Sequence, residues 1–359
     1  MKANLYHVAV IGAGIAGATI ARCLSEQGIR VSVLEAGSSA ASGASGNHQG
    51  AVYIKPGVTA NAETALGYAA LACAQACYAR WQQESGVQFW HPTGLLQVAL
   101  SDADNLRQQR IIQEQQPDPK LLQRVCSDEA SALAGIAIPR GALWYPGSGW
   151  VRPDRLCATL LQAPGVTLKT GVCVTTLTEQ EHQGGWTLLL DQGDLLHADA
   201  VVVCAGNASS DLLPCPLPLK PIRGQVSLLP GNSSMAPAVV VCGDGYVNPP
   251  CDDWQLIGAS FDLDDMDKDI RHSSHQDNLQ RIAAWLPQLS QQWPETETWQ
   301  GRTSFRATTP DYNPIAGPLW QDQALVQRLR RNARIKGISG ETLLDTPGLY
   351  TLTGLGSKG

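Results

Sequence analysis

Hydrophobic and polar positions divide the chain into short segments of different period. Val8-Ala9-Val10-Ile11 is a continuous apolar run, the pattern of a strand buried on both faces. The glycine turn Gly12-Ala13-Gly14-Ile15-Ala16-Gly17 follows at once. A helical stretch then runs to about Gln27 and is closed by Gly28, and Val31-Ser32-Val33-Leu34 reads as a second strand ending at Glu35. Leu66, Ala70, Cys73, Cys77 and Trp81 are spaced by four, three, four and four, which predicts an amphipathic helix over residues 61–82 with these side chains as its apolar face. Residues 102–116 are mostly polar and helix-like, and read as a solvated surface helix. From 166 to 204 the pattern becomes strand-like: residues 172–177 and 186–190 flank a polar turn with Gly184-Gly185, and 201–204 form a buried strand followed by Ala205-Gly206. Residues 214–262 alternate short β-like runs with Pro and Gly, and 278–289 are helix-like. There is no internal repeat.

Length and composition narrow the class. At 359 residues the expectation is about two domains. With 43% hydrophobic and 16% charged residues the chain can bury a sizeable core, which excludes global disorder. A net charge of −6 excludes a protein that grips nucleic acid over its whole surface and leaves room for a local basic patch. Arg328, Arg330, Arg331, Arg334 and Lys336 are such a patch, five cations in nine residues, although a solvated helix face has the same pattern. No apolar run approaches the roughly 18 residues of a membrane helix. The first residues superficially resemble a signal peptide, but glycines at 12, 14 and 17 interrupt the apolar stretch. None of the ten cysteines has CxxC spacing, which points to a reducing, cytoplasmic setting without a metal site. Cys73 and Cys77, one helical turn apart, read as small core residues, and Cys204 as a buried strand residue.

The first 35 residues carry chemistry. In strand–GxGxxG–helix–strand–acid order, Gly12 permits the tight turn, Gly14 lets backbone approach a pyrophosphate and Gly17 lets helix and strand pack closely. The free N–H groups at the helix N-terminus favour phosphate. Glu35, 18 residues past Gly17, suits a ribose hydroxyl and disfavours a 2′-phosphate. FAD and NAD share this fingerprint. A second run of small and polar residues, Ser42-Gly43-Ala44-Ser45-Gly46-Asn47-His48-Gln49-Gly50, favours a flavin, because its backbone N–H groups can line the longer cofactor.

With the opening GAGIAG, Glu35, the Gly206 turn and the terminal Gly354-Leu355-Gly356-Ser357-Lys358-Gly359, the chain resembles the D-amino-acid-oxidase-type flavoproteins. A finer resemblance is to the FAD-dependent oxidoreductase part of the MnmC family, bifunctional bacterial enzymes that make 5-methylaminomethyl-2-thiouridine in tRNA. Four segments carry it: residues 43–51 (GASGNHQGA), 145–153 (YPGSGWVRP), 243–249 (GDGYVNP) and 305–311 (FRATTPD). The resemblance implies an α/β fold with a Rossmann-like FAD-binding domain and an inserted, mostly antiparallel β substrate domain. Residues 1–90, 145–215 and 310–359 are expected in the first, and 91–144 and 216–309 in the second. Gly12, Gly14, Gly17, Glu35, Ala44, Ser45, Gly46, Asn47, Gln49, Gly50, Gly206, Gly354, Gly356, Ser357 and Lys358 are expected to hold FAD. Two departures stand out against that family: its N-terminal methyltransferase domain has no counterpart here, and its chain runs on past the last glycine motif into a helix. A fragment or shortened reading frame is the corresponding expectation, with a separate or fused methyltransferase domain as a partner. Lys358 stands where an arginine is usual.

The resemblance also implies a reaction. The carboxymethyl group of 5-carboxymethylaminomethyl-2-thiouridine at the tRNA wobble position would be removed by hydride transfer to the flavin and hydrolysis of the resulting imine, giving glyoxylate and the aminomethyl uridine. Arg306 matches the place of a carboxylate-binding arginine, with a structural ion pair as the other reading. Tyr246 lines the pocket or is a core aromatic. Lys55 and Lys358 are candidate cations near the flavin or ordinary surface lysines. Two alternatives stay open at this point: an oxidase of a small free amine such as glycine or sarcosine, and a non-catalytic flavoprotein remnant.

Overall fold

A computed structural model of the chain describes residues 6–180, 184–213, 216–231, 236–320 and 345–356. Two large sheets organise these residues. The first has six strands in the order Ile315–Trp320, Asp345–Thr353, Ala200–Val203, His7–Ile11, Arg30–Glu35 and Val166–Thr170. Its pairings are parallel except at Ile315–Trp320, which runs antiparallel at the edge. Residues 7–11 are continuously apolar because both faces of this sheet are covered. Val8 and Val10 pack towards the helices Ile15–Glu26 and Pro153–Leu160, with Ala18, Ala21, Leu156 and Leu160 in the same cluster. Ala9 and Ile11 face the other way, into a cluster with Trp186 and Leu188 of a three-stranded antiparallel sheet, Val174–Glu179, Trp186–Leu190 and Leu195–Ala198.

The second sheet has eight strands in the order Gln300–Thr308, Lys220–Pro230, Trp254–Gly258, Gly245–Val247, Val240–Gly243, Leu95–Val98, Ala142–Tyr145 and Gln123–Val125. It is antiparallel except between Val240–Gly243 and Leu95–Val98. A small sheet of Gly50–Val52, Gly149–Val151 and Trp90–His91 lies between the two systems in sequence. No helix among the described residues is long and apolar enough to cross a membrane.

Four elements differ in detail from the sequence expectation. The helix over 61–82 is Ala62–Ser85, capped by the Asn61 side chain and ended by Gly86 in the left-handed region. Its buried face, however, is Thr64, Leu71 and Trp81 flanked by Tyr68 and Tyr78. Leu66 is 70% exposed, Cys73 is exposed and Cys77 half-buried, so the two cysteines are not core residues. Alanine and cysteine are too small to fix a face, and the bulk of Leu71 and the tyrosines decides it. The helix Asp102–Gln115 has a Ser101–Asp104 capping box, yet it buries Gln108 and Ile111 and is not wholly solvated. The strand expected at 172–177 is Val174–Glu179, because Gly171 turns the chain and the Val172 N–H bonds the Glu35 carbonyl. The expected 278–289 helix is two helices, His272–Ala283 and Pro287–Ser290. Pro287 has no N–H to continue the first. The start lies earlier because Ser274, His275 and Asn278 are buried polar groups, with His275 bonded to Ser227 and Asn278 to the Gln225 carbonyl.

Candidate active site

Three strands of the first sheet run parallel, and their carboxyl ends deliver three glycine turns to one edge. After His7–Ile11, Gly12 has φ +101°, and a Cβ there would stand 2.5 Å from the Cys204 carbonyl oxygen. A Cβ on Gly17 would stand 1.9 Å from the Gly12 oxygen, so this pair of glycines is demanded by close packing alone. Gly14 differs: its Cβ would meet only the Ser45 side chain, at 3.1 Å. After Ala200–Val203 comes Gly206, whose carbonyl accepts from Thr353 Oγ1 at 2.9 Å. After Asp345–Thr353 come Gly354 and Gly356, and the Gly356 N–H bonds the Ala307 carbonyl at 2.8 Å. Asn207 Oδ1, Ser209 Oγ and Thr308 Oγ1, in or beside these turns, are buried with no hydrogen-bond partner among the described residues.

Glu35 closes the first turn. Its carboxylate accepts from the Ala13 N–H at 2.7 Å, the Gly37 N–H at 2.8 Å and the Ser42 hydroxyl at 2.9 Å. The acid that the sequence spacing singles out therefore joins the glycine turn to the start of the second small-residue loop. Ser45 joins them again: its Oγ accepts from the Ile15 N–H, at the helix N-terminus, at 2.9 Å. Ala44–Gly46 form one 3-10 turn, and Gly50–Val52 is the strand that follows. Gln49 is buried and donates to the Pro249 carbonyl at 2.9 Å, tying the loop to the eight-stranded sheet's side of the molecule.

A second such tie comes from Arg302, a residue without a role in the sequence reading. Its Nη2 donates to the Gly43 carbonyl at 2.5 Å and the Ser42 carbonyl at 3.2 Å, and Nη1 to Asn47 Oδ1 at 3.5 Å. Arg302 and Arg306 belong to Gln300–Thr308, and strand alternation puts 302, 304 and 306 on one face. That alternation was the available signal for Arg302.

Arg306 lies over Gly224, where a Cβ would stand 2.3 Å from its Nη1. Nη1 donates to the Ser260 carbonyl at 3.3 Å, and the guanidinium carbon sits 5.7 Å from the Phe261 ring centroid. No carboxylate pairs with Arg306 in an ion pair among the described residues. Burial pulls its pKa below the ordinary arginine value, against the smaller opposing pull of Tyr246 and Asp262. Tyr246 faces the same charge: burial pushes its hydroxyl up to about 12, with Arg306 acting in the other direction. The fold thus brings Arg306 and Tyr246 together. Lys55 is exposed, with Nζ 5.9 Å from the Tyr53 ring. Ser357, Lys358 and the basic run from Arg328 through Arg330, Arg331 and Arg334 to Lys336 lie outside the described residues.

A cavity of about 70 Å³ opens where the 42–50 loop meets the second sheet, lined by His48, Gln49, Arg152, Leu228, Cys251, Asp252, Trp254 and Gln300. Arg152 holds it together by bonding Asp154 at 3.1 Å and Asp252 at 2.5 Å. Burial lowers the His48 pKa, and Arg152 adds to the effect.

A family model described as FAD dependent oxidoreductase matches residues 7–359. The chain belongs to that family. The FAD-dependent oxidoreductases of known structure share its fold: glycine oxidase from Geobacillus kaustophilus superposes with a TM-score of 0.77 at 20% identity, covering 99% of this chain and 90% of that one. Glycine oxidase from Bacillus cereus gives 0.78 at 20% identity, with the same coverage. Among curated relatives, the tRNA 5-methylaminomethyl-2-thiouridine biosynthesis bifunctional protein MnmC of Marinobacter nauticus is 40% identical over 357 residues, 98% of this chain and 53% of that protein. The protein of the same name from Stutzerimonas stutzeri is 38% identical over 359 residues, again 98% and 53%. The chain spans about half the length of the curated relatives it matches.

The residues present fit FAD. The Cα of Gly14, with only the Ser45 side chain close by, the amides around the glycine turn, and the unpartnered Asn207, Ser209 and Thr308 oxygens gather at the carboxyl edge of the parallel strands, where α/β sheets bind such ligands.

Proposed function

We propose that this chain is the oxidising half of a tRNA-modifying system, removing the carboxymethyl group from 5-carboxymethylaminomethyl-2-thiouridine at the wobble position. The observation that carries the reading is Arg306, a half-buried guanidinium on the edge strand Gln300–Thr308 with no carboxylate partner among the described residues. A guanidinium that spends one N–H on the Ser260 carbonyl and none on a carboxylate keeps donors for a substrate carboxylate. The bifunctional names of relatives that match 98% of this chain support a tRNA substrate and a methyltransferase partner.

FAD, when bound, supplies the two-electron oxidant. Gly12, Gly14, Gly17 and Glu35 hold its adenosine-diphosphate half, and Ala44, Ser45, Gly46, Asn47, Gln49 and Gly50 line its flavin half, with Gly206, Gly354, Gly356, Ser357 and Lys358 completing the site. The segments 1–90, 145–215 and 310–359 form the cofactor unit, and 91–144 with 216–309 the substrate unit. Arg306 fixes the carboxylate so that the adjacent methylene presents one C–H bond to the oxidant. Tyr246, held protonated by its raised pKa, donates its hydroxyl proton to the same carboxylate. Lys55 adds positive charge near the pocket mouth. Loss of hydride from that carbon leaves an imine, and water cleaves it to glyoxylate and the aminomethyl uridine. The basic residues 328–336 hold tRNA phosphates, and neutralising Arg330 and Arg331 flattens the salt dependence of tRNA binding by roughly one log–log unit per lost contact.

The test is anaerobic mixing of FAD-loaded protein with tRNA carrying the carboxymethylaminomethyl group, following flavin absorbance. Rapid bleaching by this tRNA, with glyoxylate formed in equal amount, supports the reading. Faster bleaching by free glycine or sarcosine replaces it with a small-amine oxidase. Protein that never takes up FAD replaces it with a non-catalytic remnant.

A further inference from the structure

We infer that Phe261 is the stacking platform for the substrate's pyrimidine ring, and so the residue that selects a nucleotide-borne glycine over a free one. The inference rests on the proposed tRNA substrate and adds to it the surface that recognises the base.

Phe261 is 42% exposed and belongs to a loop with other exposed apolar side chains, Leu263, Met266 and Ile270, but it alone of these lies against Arg306. Its exposure is enforced by its neighbours. Ser260 N–H bonds the Gln225 carbonyl at 3.0 Å, and the Ser260 carbonyl takes the Arg306 Nη1. On the other side, Asp262 and Arg223 exchange backbone hydrogen bonds at 3.0 and 3.1 Å, and Asp262 Oδ2 takes the Arg223 guanidinium at 2.8 Å. Arg223 is fully buried and also donates to the Asp267 and Asp269 carbonyls, so it anchors the whole loop from within. The backbone on both sides of Phe261 is fixed, and its ring lies against Arg306 in advance of any ligand. Binding on such a platform has no loop to order.

The distances suit the substrate. With its carboxylate on Arg306, four covalent bonds of about 1.5 Å separate that group from the uracil ring, a reach of about 5 Å. The Phe261 centroid lies 5.7 Å from the guanidinium carbon. The guanidinium lies over one face of the Phe261 ring, so a base at the end of the arm, bent round the ring edge, stacks on the face that Arg306 leaves open. A free amino acid has nothing to place there. The acids around the loop do not oppose a nucleotide as their number suggests: Asp264 pairs with Lys220, and Asp265 and Asp267 with Arg271.

The test uses the FAD-loaded protein, Phe261→Leu and Phe261→Trp. Each is mixed anaerobically with the carboxymethylaminomethyl tRNA, and each is titrated with methoxyacetate, a carboxylate without a base, by calorimetry. Phe261→Leu keeps an apolar side chain but loses the π face. It should raise the half-saturating tRNA concentration about tenfold, and by more than the methoxyacetate dissociation constant, with the effect on half-saturation rather than on the limiting rate. Phe261→Trp should restore tight tRNA use. An unchanged tRNA-to-methoxyacetate ratio in Phe261→Leu, or a tryptophan variant as weak as the leucine one, overturns the platform while leaving the tRNA reading intact. Wild-type protein bleached by sarcosine but not by the tRNA overturns the tRNA reading first, and the platform with it.

Discussion

Gly46 lies directly beneath the guanidinium of Arg302: a Cβ on the glycine would stand 2.4 Å from Nη2 and 2.5 Å from the Ala41 carbonyl oxygen. One strand therefore reaches two places. Arg302 clasps the loop expected along the flavin, and Arg306, four residues on, faces the expected substrate. The strand's stiffness fixes one against the other.

Loosening the clasp should loosen the cofactor. Arg302→Met removes its bonds to two carbonyls and Asn47, which are partly solvated and together contribute on the order of 1–2 kcal/mol. FAD affinity should fall about tenfold or more, measured by titrating apoprotein with FAD. Arg302→Lys should recover part of it, since a point charge reaches fewer acceptors than the fork. Undiminished affinity in the methionine variant would reject the clasp.

The two packing glycines and Gly14 should separate. Gly17→Ala forces a Cβ onto the Gly12 oxygen and should cost enough stability to show as a lowered melting temperature even without FAD. Gly14→Val meets only the Ser45 side chain and should leave the apoprotein's melting near normal while abolishing stoichiometric FAD. If Gly14→Val retains FAD, pyrophosphate does not approach that position.

Removing the carboxylate anchor should strike substrate and spare cofactor. Arg306→Ala leaves a desolvated carboxylate unpaired, a loss of roughly 2–5 kcal/mol. Flavin reduction by tRNA should slow by orders of magnitude with FAD still bound, and Arg306→Lys should rescue it only in part. Normal reduction in the alanine variant, seen by stopped-flow absorbance, removes Arg306 from the site.

Acid stability should depend on Glu26. A hydrogen bond from Arg22, supported by Trp81 and Arg80, lowers its carboxyl to about 2 from an ordinary 4.5. The Arg80 and Trp81 bonds join Glu26 of the helix Ile15–Glu26 to Ala62–Ser85. A depressed carboxylate pKa stabilises the fold above about pH 4.5, and the contribution is lost as pH falls towards 2. With a side chain 28% exposed, screening leaves about 1 kcal/mol at pH 7. Denaturant melts of Glu26→Gln should show that deficit at pH 7 and convergence with wild type near pH 2. A deficit independent of pH would assign the loss to packing.

Local pattern was enough for the first βαβ unit. Val8–Ile11, the three glycines and Glu35 follow one another closely in sequence, so their order and spacing specified strand, turn, helix and strand, although the close approach that demands Gly12 comes from the distant Cys204 carbonyl. Residue chemistry within a short segment likewise marked the 42–50 loop, whereas Arg306 was singled out only by resemblance to a family. What only tertiary structure decided depends on partners far along the chain. The buried face of Ala62–Ser85 was set by the bulk of Leu71, Tyr68 and Tyr78 against distant strands, which the period of small alanines and cysteines could not choose. The polar start of His272–Ala283 became intelligible only when Ser227 and the Gln225 carbonyl appeared opposite His275 and Asn278. Arg302 is an unremarked strand residue until the fold brings Gly43, separated by 259 residues, within hydrogen-bonding distance. Sequence determines which groups exist and their local periodicity, but a guanidinium's role depends on which acceptors surround it, and long-range packing supplies those.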